Sequence, residues 1–504
     1  MKKTWIVFIA VLLSVGLTFW AEASPVNLRI LYVNDFHGFA APIKPTGGKA
    51  PQGGIAYLAG AADQARQQQP SLLLAAGDMI QGGPWANMFK GKSVIEVMNA
   101  MKFDAMVVGN HEFNFGLEAL KDRIAQANFP ILGANVEGFP GLKPYVIKKI
   151  NGIRIGIIGV VTEDTVHQNP RNVAGLNFTS PESAIHKYLP ELKRQADIIV
   201  VLSHCGYPVD RKLAATITGI EVIVGGHTHT KLLHPEKIGD TIIVQAWEHA
   251  KVLGILDLKV ENGKIVGFEG ALQEISPVTG KPDPQIQEIV AHYEGLANPP
   301  LKQIIGEALI DLDASQVRLE ETNLGNFIAD VMRQTTGADV AIINSGGIKG
   351  SIPKGKIELQ DVYAALPYDN YLIAVKLTGA QLKEALEHGV SRVEKPSHRF
   401  PQVSGLTFTY SPSAPAGSRV KDAAIGGRPL DLGKDYVVAT IDYLASGGDG
   451  YKVFGDALKS QGGLKGDKLV YNDVSSGLRD RVIDAIKARK NLAPGVEGRI
   501  KAVD

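Results

Sequence analysis

A single cysteine among 504 residues, Cys205, rules out any intramolecular disulfide. Net charge is equally scarce. The chain carries 53 Lys and Arg against 52 Asp and Glu, a balance of +1, too small to draw it to a nucleic-acid polymer or an anionic membrane surface. After the first twenty residues no apolar run is long enough to span a bilayer. There is no low-complexity tract and no internal repeat. Stability must therefore come from ordinary cores, and 45% hydrophobic content over this length suffices for two domains.

The N-terminal stretch has a different character. Lys2 and Lys3 precede an apolar run from Trp5 to Trp20, and Ala21-Glu22-Ala23 follows just before Ser24. A basic start, an apolar middle and an A-x-A end form the pattern of a secretory signal peptide. The cleavage pattern and the lack of a stop-transfer flank favour removal over a membrane anchor. Residues 1–23 are thus expected to be removed, leaving a secreted or periplasmic protein without a membrane attachment.

From Asn27 to about Val260, strand-like apolar runs alternate with helical patterns at Gly54 to Gln69, Ser93 to Met101 and Pro181 to Ala196. Such alternation argues for an α/β layered domain. Around Gly280 to Pro300 the prolines bracket a helical stretch from Gln285 to Leu296, read as a linker helix. Beyond it, helices expected at Asn323 to Thr336 and Gly379 to His388 mix with strand runs at Val340 to Ile343 and Tyr436 to Ile441. The expected layout is 24–282 for a catalytic domain, 283–303 for the linker helix and 304–504 for a second domain.

Five short segments carry the chemistry: ILYVNDFHG, LLLAAGDM, AMVVGNHEF, IIVVLSHCG and VIVGGHTHT. Each closes an apolar run, so its polar residues fall where a buried parallel strand would end in a loop. Together they present Asp35, His37, Asp78, Asn110, His204, His227 and His229. In Asp35-x-His37 and His227-x-His229, a spacing of two would place both side chains on one side of an extended segment, able to grip one ion. Imidazole nitrogens mixed with carboxylate and amide oxygens suit zinc, manganese, iron or cobalt, and seven ligands exceed one tetrahedral ion. Two divalent ions sharing Asp78 fit the count, with zinc, manganese or cobalt the expected metals. A pair of ions about 3.5 to 4 Å apart suits in-line displacement at phosphorus. Cys205, beside His204, faces the opposite side and reads as a buried structural thiol.

The order D-x-H, G-D, G-N-H-E, H, G-H-x-H resembles the calcineurin-like metallophosphoesterases, and the fuller context resembles their periplasmic and ecto-5'-nucleotidase branch. The resemblance runs from about Leu28 to Tyr451. It implies a layered α/β/β/α metallophosphoesterase domain followed by a smaller α/β or α+β 5'-nucleotidase C-terminal domain. Asp35, His37, Asp78 and His229 would hold one ion; Asp78, Asn110, His204 and His227 would hold the other. His111, directly after Asn110, is the candidate catalytic acid for the leaving alkoxide. In the family an aspartate orients this histidine. Here the position is Asn114, which either orients His111 or caps the following helix. The string GNHEFNFG is also similar to the 2',3'-cyclic-nucleotide phosphodiesterase and 3'-nucleotidase branch.

In the second half, Arg318 opens RLEETNLGNFIAD, similar to the family segment whose arginine holds the substrate phosphate, and Asn344 opens NSGGIKG, where two glycines let the backbone come close to a ligand. Lys349 stands where the family usually has arginine, offering a point charge in place of a planar fork. Tyr368 in LPYDN and Tyr443 in DYLASGGDGY match the aromatic positions that sandwich the base, and Asp449 matches a ribose-binding acid. His186, His234, His249, His388 and His398 have no partner pattern and read as surface or packing residues.

These readings describe an enzyme hydrolysing nucleoside 5'-monophosphates outside the cytoplasm, with a small-molecule nucleotide as its partner. Two alternatives stand beside it: a 2',3'-cyclic-nucleotide 2'-phosphodiesterase with 3'-nucleotidase or nucleotide-sugar activity, and a binding protein that captures nucleotides without cleaving them. Native metal, preferred base and oligomeric state are left open.

Overall fold

A computed structural model describes residues 25–43, 50–169, 172–368, 370–459 and 468–503. The expected leader, 1–23, lies outside them. Two six-stranded sheets form the first half. In one, Val26–Val33 lies parallel to Ser71–Ala75 and antiparallel to Val252–Glu261, with Ala105–Val107 and Ile131–Leu132 beyond. In the other, Ile198–His204 runs parallel to both Ile153–Val161 and Val222–Gly225.

Strand parity assigns the layers. Leu28, Ile30 and Tyr32 join Leu72 and Leu74 in facing Ile155, Ile157, Val200, Leu202 and Val224 of the second sheet. The alternate residues Leu31, Val33, Leu73 and Ala75 face outward onto the helices Ile55–Gln68 and Lys92–Ala100, burying Leu58, Ala62, Val94 and Met98. On the far side, Ile158, Val160, Val201 and Ile223 pack against Ile185, Leu189 and Leu192 of the helix Pro181–Gln195. The result is the expected α/β/β/α stack. Cys205 is buried in this outer layer, and burial pushes its thiol well above the ordinary range.

The helix read as Gln285 to Leu296 spans Pro284–Leu301, so Pro299 and Pro300 lie inside it. A proline there forfeits an N–H bond. Burial of Ala297 and Leu301 and the bond from Lys302 N to Asn298 O nevertheless keep the last turn helical. Asp283 caps its start by accepting from Ile286 N at 2.8 Å. The hydroxyl of Tyr293 donates to Glu96 Oε2 at 2.6 Å, fastening the helix to the first half.

The second half is built on a mixed five-stranded sheet in the order Pro401–Ser404, Val340–Asn344, Asp435–Ile441, Tyr371–Thr378, Leu469–Gly477. Val340–Asn344 and Asp435–Ile441 are parallel, whereas Tyr371–Thr378 is antiparallel to its neighbour. The helix Asn323–Thr336 covers one face, burying Leu324, Phe327, Ile328 and Val331. Because of these directions, the segments around Asn344, Tyr368 and Tyr443 emerge at one edge. The halves meet there: Gln81 Nε2 and Asn87 Nδ2 both donate to Pro367 O, at 3.1 and 2.9 Å. Among the described residues, no helix is long and apolar enough to cross a membrane.

Candidate metal centre and active site

The five strand ends deliver their polar residues to one buried locus. His204 is the last residue of its strand, and the others follow within a few residues of theirs. Asp35, His37, Asp78, His227 and His229 all have positive φ, between 50° and 74°. Left-handed backbone is costly for residues with a Cβ and persists where the surroundings enforce it. It also corrects the extended-segment reading of the two D-x-H and H-x-H pairs. The chain curls at these residues, and His227 and His229 part company: His229 gathers with Asp35 and His37, His227 with Asp78 and His204, the potential ligand atoms of each group lying within 4.8 Å of one another.

His204 Nε2 lies 3.0 Å from Asp78 Oδ2, and His229 Nε2 lies 3.2 Å from Asp35 Oδ1. His37 Nε2 is 3.9 Å from both carboxylates and 3.3 Å from His229 Nε2. The opposite ring nitrogens are tied outward: His37 Nδ1 to Gln81 O at 3.0 Å, His204 Nδ1 to Ala76 O at 2.6 Å and His229 Nδ1 to Glu248 Oε2 at 2.6 Å. Such outer bonds fix the tautomer and leave Nε2 facing the centre. Asn110 Oδ1 is buried without a hydrogen-bond partner, and Asp35 Oδ1 and His204 Nε2, although close to His229 and Asp78, make no well-formed hydrogen bond. Buried polar atoms are rarely left so. Mixed nitrogen and oxygen donors converging on one buried locus fit divalent cations.

Electrostatics bind the cluster. Burial opposes ionisation of Asp35 and Asp78, yet both stay below the ordinary carboxylate range, Asp35 through His229 and His204, Asp78 through His204 and His111. Burial drives His37 down to about 3 and His227 down to about 4. It also works against charge on His204, but Asp78 outweighs it and the imidazole rises to about 9.

Next to the cluster, His111 Nε2 is 3.9 Å from Asp78 Oδ2, while its Nδ1 meets Asn114 Oδ1 at 2.6 Å. The helix Gly116–Gln126 is preceded by Phe115 at its cap position, so Asn114 is not its cap. Across the junction of the halves, the ring of Tyr368 lies 5.6 Å from that of His111, and Lys349 Nζ stands 5.3 Å from the Tyr368 ring centre. Asn344 Nδ2 donates to Asp449 Oδ2 at 2.6 Å, and the Tyr443 hydroxyl donates to Asp449 Oδ1 at 2.9 Å. Asn344 Oδ1 is buried and unpaired. Burial and then Asp449 hold the Tyr443 phenol protonated, well above its ordinary range. Burial, and then the charges of Arg318 and Lys349, lower His398, and Ser397 N donates to Arg318 O at 3.2 Å, which places Arg318 beside the same segment.

Residues 28–231 match the family model of calcineurin-like phosphoesterases, and 301–456 match that of the 5'-nucleotidase C-terminal domain. The bovine 5'-nucleotidase is 30% identical, with 97% of this chain and 93% of the relative covered. The chain belongs to the 5'-nucleotidase family. It is accordingly a metal-dependent phosphoesterase acting on nucleotide phosphoesters. The trifunctional nucleotide phosphoesterase of Bacillus subtilis is 32% identical over 86% of this chain, which spans only 33% of that longer protein. Among solved structures, a 5'-nucleotidase precursor from Thermus thermophilus superposes with a TM-score of 0.78 at 34% identity, covering 95% of this chain and 100% of that one.

Several residues around this family's site escaped the sequence reading. Glu112 accepts from the backbone N–H groups of Gly109, Asp78, Met79 and Ile80, at 2.5, 2.8, 2.7 and 3.2 Å. It thereby ties the Asp78 loop to the Asn110 loop, and burial raises it to about 7. An acid three residues after Gly109 was the visible signal. Glu248 had none, because it reaches His229 only after the chain folds back. His249 packs its ring 4.1 Å from Phe39 beside the cluster, in keeping with a packing role, while His388 Nε2 contacts Asp449 O at 2.9 Å, a partner the sequence pattern did not show.

Proposed function

We infer that this chain hydrolyses nucleoside 5'-monophosphates to nucleoside and phosphate, outside the cytoplasm if the leader is used as read. The observation that carries the reading is the meeting of Tyr368, from the nucleoside half, with His111 at the edge of the ligand cluster. One cleft then holds phosphate chemistry and an aromatic platform together.

Asp35, His37, Asp78 and His229 would hold one divalent cation and Asp78, Asn110, His204 and His227 a second, zinc, manganese and cobalt suiting the donors. Bound there, the cations would polarise the phosphoryl oxygens and make water a competent nucleophile near neutral pH. His111 supplies the proton that the leaving ribose oxygen needs, from Nε2, while Asn114 holds Nδ1–H. Arg318 and Lys349 grip the phosphate, and Asn344 opens the loop whose two glycines let the backbone come close to the substrate. Tyr368 and Tyr443 flank the base, which stacks on any aromatic face, and Asp449 accepts from the ribose. The Tyr443–Asp449–Asn344 bonds support this, since they hold the carboxylate in a set position.

Asn114 in place of an acid favours a second reading, a 2',3'-cyclic-nucleotide 2'-phosphodiesterase with 3'-nucleotidase activity. A broad nucleotide and nucleotide-sugar hydrolase belongs with it. A substrate panel separates them. AMP is expected to give the highest kcat/KM, with lesser turnover of 3'-AMP and cyclic 2',3'-AMP. A clearly higher value for the cyclic or 3' substrate assigns the second reading.

A further inference from the structure

An asparagine, unlike a carboxylate, has a donor end and an acceptor end, so something must decide which end meets His111. Asn110 O, a backbone carbonyl, can only accept. It receives Asn169 Nδ2 at 2.8 Å. That bond turns Asn169 Oδ1 the other way, where it receives Asn114 Nδ2 at 2.8 Å. Asn114 Oδ1 is thereby left to face His111 Nδ1 at 2.6 Å. An oxygen without a proton can only accept, so Nδ1 carries the hydrogen and Nε2 points toward Asp78. Reversing any amide would set two acceptors, or two donors, face to face in buried space.

The anchor is firm. Asn169 is buried, its N–H bonds Thr165 O at 3.0 Å, and its carbonyl accepts from Val173 N at 3.1 Å. Asn172 Nδ2 holds the backbone carbonyl of Asn114 at 2.7 Å. The circuit runs from the Asn110 backbone through two side-chain amides to the residue after Asn110.

We propose that Asn169 is a positioning residue of the reaction: anchored on the Asn110 carbonyl, it sets the polarity of the Asn114 amide and so keeps Nδ1–H of His111 bonded to Asn114 Oδ1, leaving Nε2 as the nitrogen that takes up a proton from solvent and, from the imidazolium, delivers it to the leaving oxygen. This rests on the reading of His111 as the acid. A carboxylate at 114 would accept at either oxygen and need no such anchor.

The test compares AMP, whose ribose alkoxide is a poor leaving group, with nitrophenyl phosphate, whose leaving group needs no proton. Asn169→Leu, close to isosteric, and Asn169→Ala are each to be checked for thermal melting and metal content, so that one well-folded variant carries the comparison. The expected result is a kcat for AMP reduced about tenfold or more at unchanged KM, with less than about a twofold change on nitrophenyl phosphate. In an Asn114→Asp background, the same substitution is expected to cost less than about threefold on AMP, a non-additive cycle that a packing defect does not produce. Equal losses on both esters, no loss on AMP, or full additivity with Asn114→Asp would overturn the proposal. His111→Ala separates the two layers. If it discriminates between the esters and the Asn169 variants do not, the relay alone is wrong. If His111→Ala itself loses equally on both, the acid reading falls and the relay with it.

Discussion

The phenol ring of Tyr368 lies almost parallel to the imidazole of His111, with 14° between the planes and 5.6 Å between the centroids. One residue comes from each half of the chain. The loop carrying Tyr368 is held by Gln81 and Asn87 of the first half and by Arg479 of the second, all donating to Pro367 O. The proposed base platform and the proposed proton donor are thus mechanically joined.

Tyr368→Ala is expected to raise KM for nucleoside monophosphates roughly tenfold, within the ~1–3 kcal/mol that stacking a base on an aromatic ring provides. Tyr368→Phe keeps the platform and should stay close to the parent. Steady-state kinetics on AMP and on a small ester lacking a base provide the measurement. Comparable losses on the small ester would make Tyr368 a packing element.

Asp78 stands between the two ligand groups, within reach of His37 and of His204. Asp78→Ala should therefore abolish binding of both metal equivalents together with activity, and added metal should not restore turnover. Elemental analysis of the purified variant decides. Retention of two equivalents would remove the shared-ligand role.

Glu112→Gln places an amide N–H₂ among four backbone N–H groups that a carboxylate now satisfies. Leaving buried donors unpaired costs about 1–3 kcal/mol each, so a melting temperature several degrees lower is expected, with weakened metal binding because the Asp78 and Asn110 loops lose their tie. An unchanged melt and unchanged metal affinity would show that the tie is idle.

Asp442 is fully buried at the start of the Tyr443 segment, and burial raises its carboxyl to about 7 despite bonds from Asn370 Nδ2 and Tyr371 N. Its unfolded value is near 4. The folded state therefore binds the proton more tightly, and the stability this contributes is complete below about pH 4 and lost as pH rises through about 7. Asp442→Asn keeps the shape and both acceptor bonds. It should flatten the melting temperature between pH 5 and 8 and leave the variant more stable than the parent at pH 8. A parallel pH dependence in parent and variant would show that Asp442 does not titrate there.

Much of this protein is legible in its sequence. The β-parity of Leu28, Ile30 and Tyr32 against Leu31 and Val33 reports two buried faces and hence a layered domain. The helix Asn323–Thr336 is bounded by its Thr322 cap and Gly337 at positive φ. The strand-end positions of Asp35, Asp78, Asn110, His204 and His227 are also local facts, because a run of apolar residues ends where burial ends. Glu112 was present in a quoted motif, yet its four bonds depend on two loops meeting.

What the sequence by itself determined is the set of elements, the layering of the first half and the inventory of ligand-type residues, since periodicity and residue chemistry act over a few neighbours. The tertiary structure alone decided which ligands share a group, why His227 and His229 diverge, how Asn169 reaches Asn114 across 55 positions and that Tyr368 lies on His111. Those outcomes depend on left-handed loop residues and on the docking of separate layers. Neither leaves a periodic trace in the chain, because each is set by contacts between segments remote in sequence.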